Sequence, residues 1–205
     1  MPKGQRSRVL RGGDVLDGDA AGLRQVIPRR LPVDLWQRAH PSRWRTGPTR
    51  ARRIVEQIVY HATSGRGDAR AVADMWSRAP DDDEDATDAH LVIGQDALAI
   101  QCVRCDDVAL HAHRANARSI GIEICAREPG EFGPGDPGMP PTAVQLARAA
   151  LLGAWCCRRY GIAPSRSTIV GHAEADPDTT HTGCPTAAGV DLDWMAREVA
   201  RLLAG

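Results

Sequence analysis

Residues Arg53 to Tyr60 (RIVEQIVY) form an apolar, β-branched run that ends at His61 and a Thr-Ser-Gly-Arg-Gly loop. This is the pattern of a buried strand with His61 at its C-terminal edge. Similar runs at His90 to Gly94, Ala99 to Val103 and Ser119 to Cys125, and a shorter one at Ser167 to Val170 ending at Gly171-His172, predict further strands. Ala71, Val72, Met75, Trp76 and Ala79 recur at helical spacing ahead of Pro80, which predicts a short amphipathic helix. Thr142 and Gln145 have capping-box spacing, and the helix they open runs through Leu146, Ala150, Leu151 and Trp155 to a stop at Gly161. A last helix, from about Leu192 to Leu203, puts Leu192, Met195, Val199 and Leu202 on one face. There are no internal repeats and no heptads. The expected fold is α/β, a central mixed β-sheet of about five or six strands flanked by helices, with the functional groove at strand ends.

Length and composition refine this picture. A chain of 205 residues with 42% hydrophobic and 25% charged positions is in the range of one globular domain with an extension. Residues 1–47, rich in Arg, Gly and Pro, read as a basic N-terminal arm, and residues 48–205 as the domain itself. Lys plus Arg and Asp plus Glu both number 26, so no overall charge excess favours nucleic acid. Met1 to Arg50 nevertheless hold eleven basic and four acidic residues, a local surplus suited to an anionic surface. No apolar run is long enough for a membrane span or a secretory signal, so a cytoplasmic location, before any release to a cell wall, is expected. The chain is expected to act as a monomer. The six cysteines are read as mostly reduced, because a core of this size does not need disulfide staples. The acidic run Asp81 to Asp85 reads as a solvated loop, with a metal site as the alternative.

Three residues stand at element ends with complementary chemistry: His61, His172 and Cys184. Two imidazoles and a thiolate fill three positions of a tetrahedral zinc ion and leave the fourth for water, the pattern of a catalytic site. Each residue alone also fits a hydrogen-bonded or buried structural role. The Cys102 to Cys105 CxxC invites a zinc-knuckle or redox reading, but there is no second CxxC to complete it.

Longer stretches share a common likeness. Residues His40 to Thr63, the segment AHLVIGQDALAIQCVRCDDVALHAHRANARSIGIEI and the segment IVGHAEADPDTTHTGCP occur in that order. Together they resemble the N-acetylmuramoyl-L-alanine amidase family, which includes phage endolysins and peptidoglycan recognition proteins. The likeness spans about Pro41 to Leu203. It implies zinc-dependent hydrolysis of the amide between N-acetylmuramic acid and L-alanine in peptidoglycan, with His61, His172 and Cys184 as zinc ligands. Two other readings stay open: a non-catalytic peptidoglycan-binding module, and a cytosolic recycling amidase acting on anhydro-muropeptides.

The resemblance also implies that Glu123 is the acidic group near the metal, with a salt-bridged structural glutamate as the alternative. Strand alternation adds that Ile120, Ile122 and Ile124 share one face, leaving Glu123 with Gly121 on the other. Thr182 matches a family position two residues before the cysteine and, with His181, is a candidate to stabilise an oxyanion; His181 equally fits a surface loop. Ala89 stands where many members carry a catalytic Tyr, which shifts the acid-base role toward Glu123. Leu110-His111-Ala112-His113 replaces the family's Trp-His-Ala-Gly, losing an aromatic and gaining a histidine. His111 and Asn116 are candidate substrate contacts, with loop stabilisation as the alternative. His40 and His90 read as structural.

Overall fold

The computed structural model describes residues 27–47, 54–65, 67–80 and 87–205. The first part of the basic arm, the beginning of the run at Arg53 and the acidic run Asp81 to Asp85 lie outside the described residues.

The strands are β1 (Leu35–Trp36), β2 (Trp44–Arg45), β3 (Gln57–Ala62), β4 (Leu91–Ile93), β5 (Ala99–Gln101), β6 (Val108–Ala109), β7 (Ser119–Ile124) and β8 (Ile169–Gly171). The helices are α1 (Ala69–Trp76), α2 (Ala143–Tyr160), α3 (His172–Ala175) and α4 (Leu192–Ala204). Six strands form one mixed sheet in the order β1-β5-β4-β7-β3-β8, and β2 and β6 form a separate antiparallel pair. Among the described residues of the sheet, β4 and β5 pair antiparallel and the other neighbours pair parallel. The mixed sheet flanked by helices is therefore the architecture that the hydrophobic pattern predicts.

Alternation along the central strands separates two apolar layers. Ile58 and Tyr60 of β3, with Ile120, Ile122 and Ile124 of β7, pack against α2 and α4 through Ala150, Leu152, Met195 and Val199. Each large aliphatic side chain buried there contributes about 1.5–3 kcal/mol. On the opposite face, Val92, Ile100 and Cys125 pack with Ala69, Ala73 and Trp76 of α1. Val59, Ala112, Ala115, Val170 and Ala175 form a smaller cluster. The face left to Gly121 and Glu123 is the one away from α2, as the isoleucine spacing requires.

The helix ends follow local chemistry. The Thr142 side chain accepts from Gln145 N, and the Gln145 side chain accepts from Thr142 N, both at 3.2 Å. Gln145 also donates to Ile93 O and Cys125 O, which ties the start of α2 to the ends of β4 and β7. Gly161, at φ 70°, closes the helix in the left-handed region. Asp68 and Asp191 cap α1 and α4 by accepting from Arg70 N and Trp194 N.

Several boundaries differ from the predicted ones. β3 starts at Gln57 and continues to Ala62, because its six residues pair in register with Ser119 to Ile124. His61 is thus inside the last rungs rather than beyond them. Helix α1 ends at Trp76, and β8 starts at Ile169 because Ser165 to Thr168 close a turn. The described part of the arm is built into the domain: β1 pairs with β5, Ile27 is in the core, and Arg158 donates to Ile27 O and Pro28 O. No helix among the described residues is long and apolar enough to cross a membrane. All six cysteines are free.

Candidate active site

Three parallel strands deliver the central residues. β8, β3 and β7 lie side by side, with Gly171, Tyr60 and Ile122 on one level, so the next residues along are His172, His61 and Glu123. Parallel neighbours at the same level project to the same face of a sheet. Cys184 comes from the loop before α4 and reaches the end of β3, where its Sγ accepts from Ala62 N at 3.3 Å.

One ligand atom from each of His61, His172 and Cys184 lies within 4.8 Å of the other two. Metal–ligand bonds of roughly 2.0–2.3 Å fit a cluster of this size after a small inward shift. The His61 and His172 ring centroids are 4.7 Å apart. His172 Nε2 is buried with no hydrogen-bond partner among the described residues, an orphaned polar atom that a bound group could satisfy. Burial, followed by the neighbouring imidazoles, holds His61 well below the usual histidine range. Burial and His181 bring His172 down to about 4. Both shifts favour the neutral ring, the form in which histidine binds a metal. Burial and then Glu123 push the Cys184 thiol up to about 12, and a cation at this site would reverse that balance. The donor set, its spacing and the orphaned nitrogen all fit zinc.

Glu123 lines the same groove as the three residues. Burial pushes its carboxyl up to about 8. The groove is about 390 Å³; Ala71, Val72, Met75 and Trp76 of α1 give it an apolar wall, and Asp88 and Thr63 give it polar points. Asp88 Oδ1 accepts from Leu110 N at 2.9 Å, while its buried Oδ2 has no partner among the described residues. Ala89, in the position many family members give to Tyr, is fully buried beside it.

His181 stacks on His172 with centroids 5.5 Å apart and lines both the groove and an adjoining one of about 400 Å³. Thr182 lies in the adjoining groove with Glu128 and Glu131. His111 lines the main groove, but its Nδ1 is 3.0 Å from His61 Nε2 and its Nε2 is 3.1 Å from Ser119 Oγ. The Asn116 side chain turns to the backbone, where Oδ1 accepts from His111 N and Ala112 N. His113, the additional histidine, is 2.6 Å from Asp176 Oδ2, which it holds below the usual carboxylate range. His90 links Gly121 N to Asp107 O, and His40 caps the turn at Ser42.

The groove wall from α1, Asp88 and Ser119 were not singled out from the sequence. The amphipathic spacing shows that α1 has an apolar face, but not that part of it borders a cavity. Asp88 and Ser119 acquire their settings from residues on other elements, and no local motif marks them.

Residues 50–187 match the sequence model of the family described as N-acetylmuramoyl-L-alanine amidase. No curated protein matches the sequence. Among solved structures, a selenomethionine derivative of AmpD superposes with a TM-score of 0.58 at 21% identity, covering 80% of this chain and 93% of that one. The Staphylococcus aureus hydrolase AmiA, solved with its ligand, gives 0.59 at 14% identity, covering 84% and 85%. The PlyG catalytic domain gives 0.57 at 16% identity, covering 84% and 97%. At these identities the structural likeness establishes a shared fold, and the match over residues 50–187 carries the relationship.

Proposed function

The chain belongs to the N-acetylmuramoyl-L-alanine amidase family, and from that premise we propose that it is a zinc-dependent hydrolase of the amide joining N-acetylmuramic acid to L-alanine in peptidoglycan. The observation that carries the reading is the convergence of His61, His172 and Cys184, with His172 Nε2 buried and unpartnered. These three residues would hold the metal and leave one tetrahedral position open. When bound there, zinc supplies Lewis acidity at the scissile carbonyl and lowers the pKa of water toward ~7.

The chain's own groups supply the proton transfers. Glu123, on the same level as His61 one strand over and lining the groove, accepts the proton of water as its oxygen joins the carbonyl carbon. It then passes that proton to the alanine nitrogen as the C–N bond breaks. Burial alone raises this carboxyl to about 8, and a cation held beside it would draw it back toward the ionised form that the first step requires. His181, stacked on His172, is the candidate donor to the developing oxyanion, and the Thr182 hydroxyl in the adjoining groove is a second. The apolar α1 wall is suited to the methyl-rich lactyl and alanyl groups, and the basic surplus of the arm to anionic wall polymers.

Digesting intact sacculi and isolated muropeptides side by side tests this. Release of the stem peptide from both supports a wall-lytic amidase, and release from isolated muropeptides alone supports a recycling role. Binding without release from either would identify a recognition module.

A further inference from the structure

His111 is the residue whose position in the groove is least explained by substrate contact. Its ring lies against β7 at Gly121, where any Cβ would come within 2.6 Å of His111 Cγ. Only glycine leaves room for the imidazole there. Asn116 fixes the main chain on either side of the ring by accepting from His111 N and Ala112 N at 2.9 and 2.6 Å. Both ring nitrogens then have protein partners at hydrogen-bond distance: His61 Nε2 at 3.0 Å and Ser119 Oγ at 3.1 Å.

The direction of this chain follows from its last member. Ser119 Oγ is 2.7 Å from Ala115 O, and a carbonyl oxygen can only accept, so the serine hydroxyl donates to it. Ser119 Oγ therefore accepts from His111 Nε2–H. A neutral imidazole protonated on Nε2 has its lone pair on Nδ1, so His111 Nδ1 accepts from His61 Nε2–H. The remaining lone pair of His61 is then on Nδ1. Ser119, His111 and His61 are all buried, which shields the relay from exchange with bulk water.

We infer that His111 is a positioning residue: through a one-way hydrogen-bond relay from His61 to Ala115 O, it fixes the His61 tautomer and presents the Nδ1 lone pair to the metal. The inference rests on the metal site proposed above and adds to it a named orienting partner. Ligating histidines commonly have their second nitrogen held in this way, and losing the partner lowers metal affinity about 10–100-fold.

Two measurements test it. Long-range ¹H–¹⁵N spectra of the metal-free full-length chain at pH 8 read the tautomers directly, with no metal and no activity involved. Both His61 and His111 are expected as the Nε2–H form, and finding His61 as the Nδ1–H form would overturn the relay. Zn²⁺ affinity by competition with a chromophoric chelator gives the second reading. His111→Leu should bind Zn²⁺ about 10–100-fold more weakly. His111→Asn, whose Oδ1 can accept in place of Nδ1, should stay within about threefold of wild type. Folded Leu and Asn variants that both bind Zn²⁺ like the wild type would also overturn the inference. If the wild-type chain itself takes up no Zn²⁺, the metal-site proposal fails, and the tautomers still decide the relay.

Discussion

Glu123 on β7 is paired with His61 on β3 in the parallel ladder, so the two side chains leave the same face of the sheet one strand apart. The carboxyl is thereby set beside the candidate metal cluster rather than inside it. Glu123→Gln keeps size and hydrogen bonding but removes the proton-accepting role. Zinc content and fold should be unchanged, and turnover of purified muropeptides should fall roughly 10²-fold or more. Turnover within about threefold of wild type would remove Glu123 from the mechanism and make His181 the next residue to test.

Zinc should bind at one ion per chain, since two imidazoles and a thiolate suit it better than calcium or magnesium. Cys184→Ser and His172→Ala should each lose metal and activity together. Elemental analysis of the purified variants checks this, and full zinc content in either would exclude that residue as a ligand.

Gly153 tests the packing of α2 on the sheet. Replacing a mid-helix glycine by alanine normally stabilises a helix by about 1 kcal/mol. Here an added Cβ would run into the hydroxyl of Tyr60, which is fully buried and donates to Ala149 O at 3.1 Å. Gly153→Ala should therefore destabilise by about 1–3 kcal/mol in denaturant titrations. The penalty should shrink in a Tyr60→Phe background, which lacks the hydroxyl. A stabilising Gly153→Ala would show that this interface is looser than described.

Asp88 should give stability a distinct pH dependence. Burial pushes its carboxyl up to about 8, against the opposing pull of Leu110 N–H and Arg43. The unfolded chain releases this proton near ~4, so between those values the native state holds a proton that the unfolded state has lost. The contribution of Asp88 to stability is full below pH ~4, declines as pH rises toward 8 and then levels off. Asp88→Asn keeps the acceptor for Leu110 N and cannot ionise. Its stability relative to wild type should climb from pH 4 to 8, and parallel stability curves would contradict the assignment.

The sequence reveals much of this architecture because its strongest signals are local. The isoleucines of β7 alternate, Thr142 and Gln145 cap α2 reciprocally, and Gly161 closes it. His61 and His172 stand out because each ends an apolar run, and Cys184 because its thiol completes a zinc donor set. What depends on pairing between distant segments is not legible. The rung shared by His61 and Glu123 is set by strand register, and β1 and β2 are too short to show any periodicity. His111 reads as a groove residue, yet the reason its ring turns inward is Gly121, ten positions away on the neighbouring strand. Ser119 carries no motif, and its hydroxyl matters only because the Ala115 carbonyl faces it.

Mass spectrometry of products from zinc-loaded protein and purified muropeptides tests the central claim most directly. The account predicts one new free amine on L-alanine and one new carboxyl on the lactyl group of N-acetylmuramic acid, and no such products from protein stripped of metal. Cleavage at another bond, or intact muropeptides after incubation with protein shown to contain one zinc per chain, would contradict it.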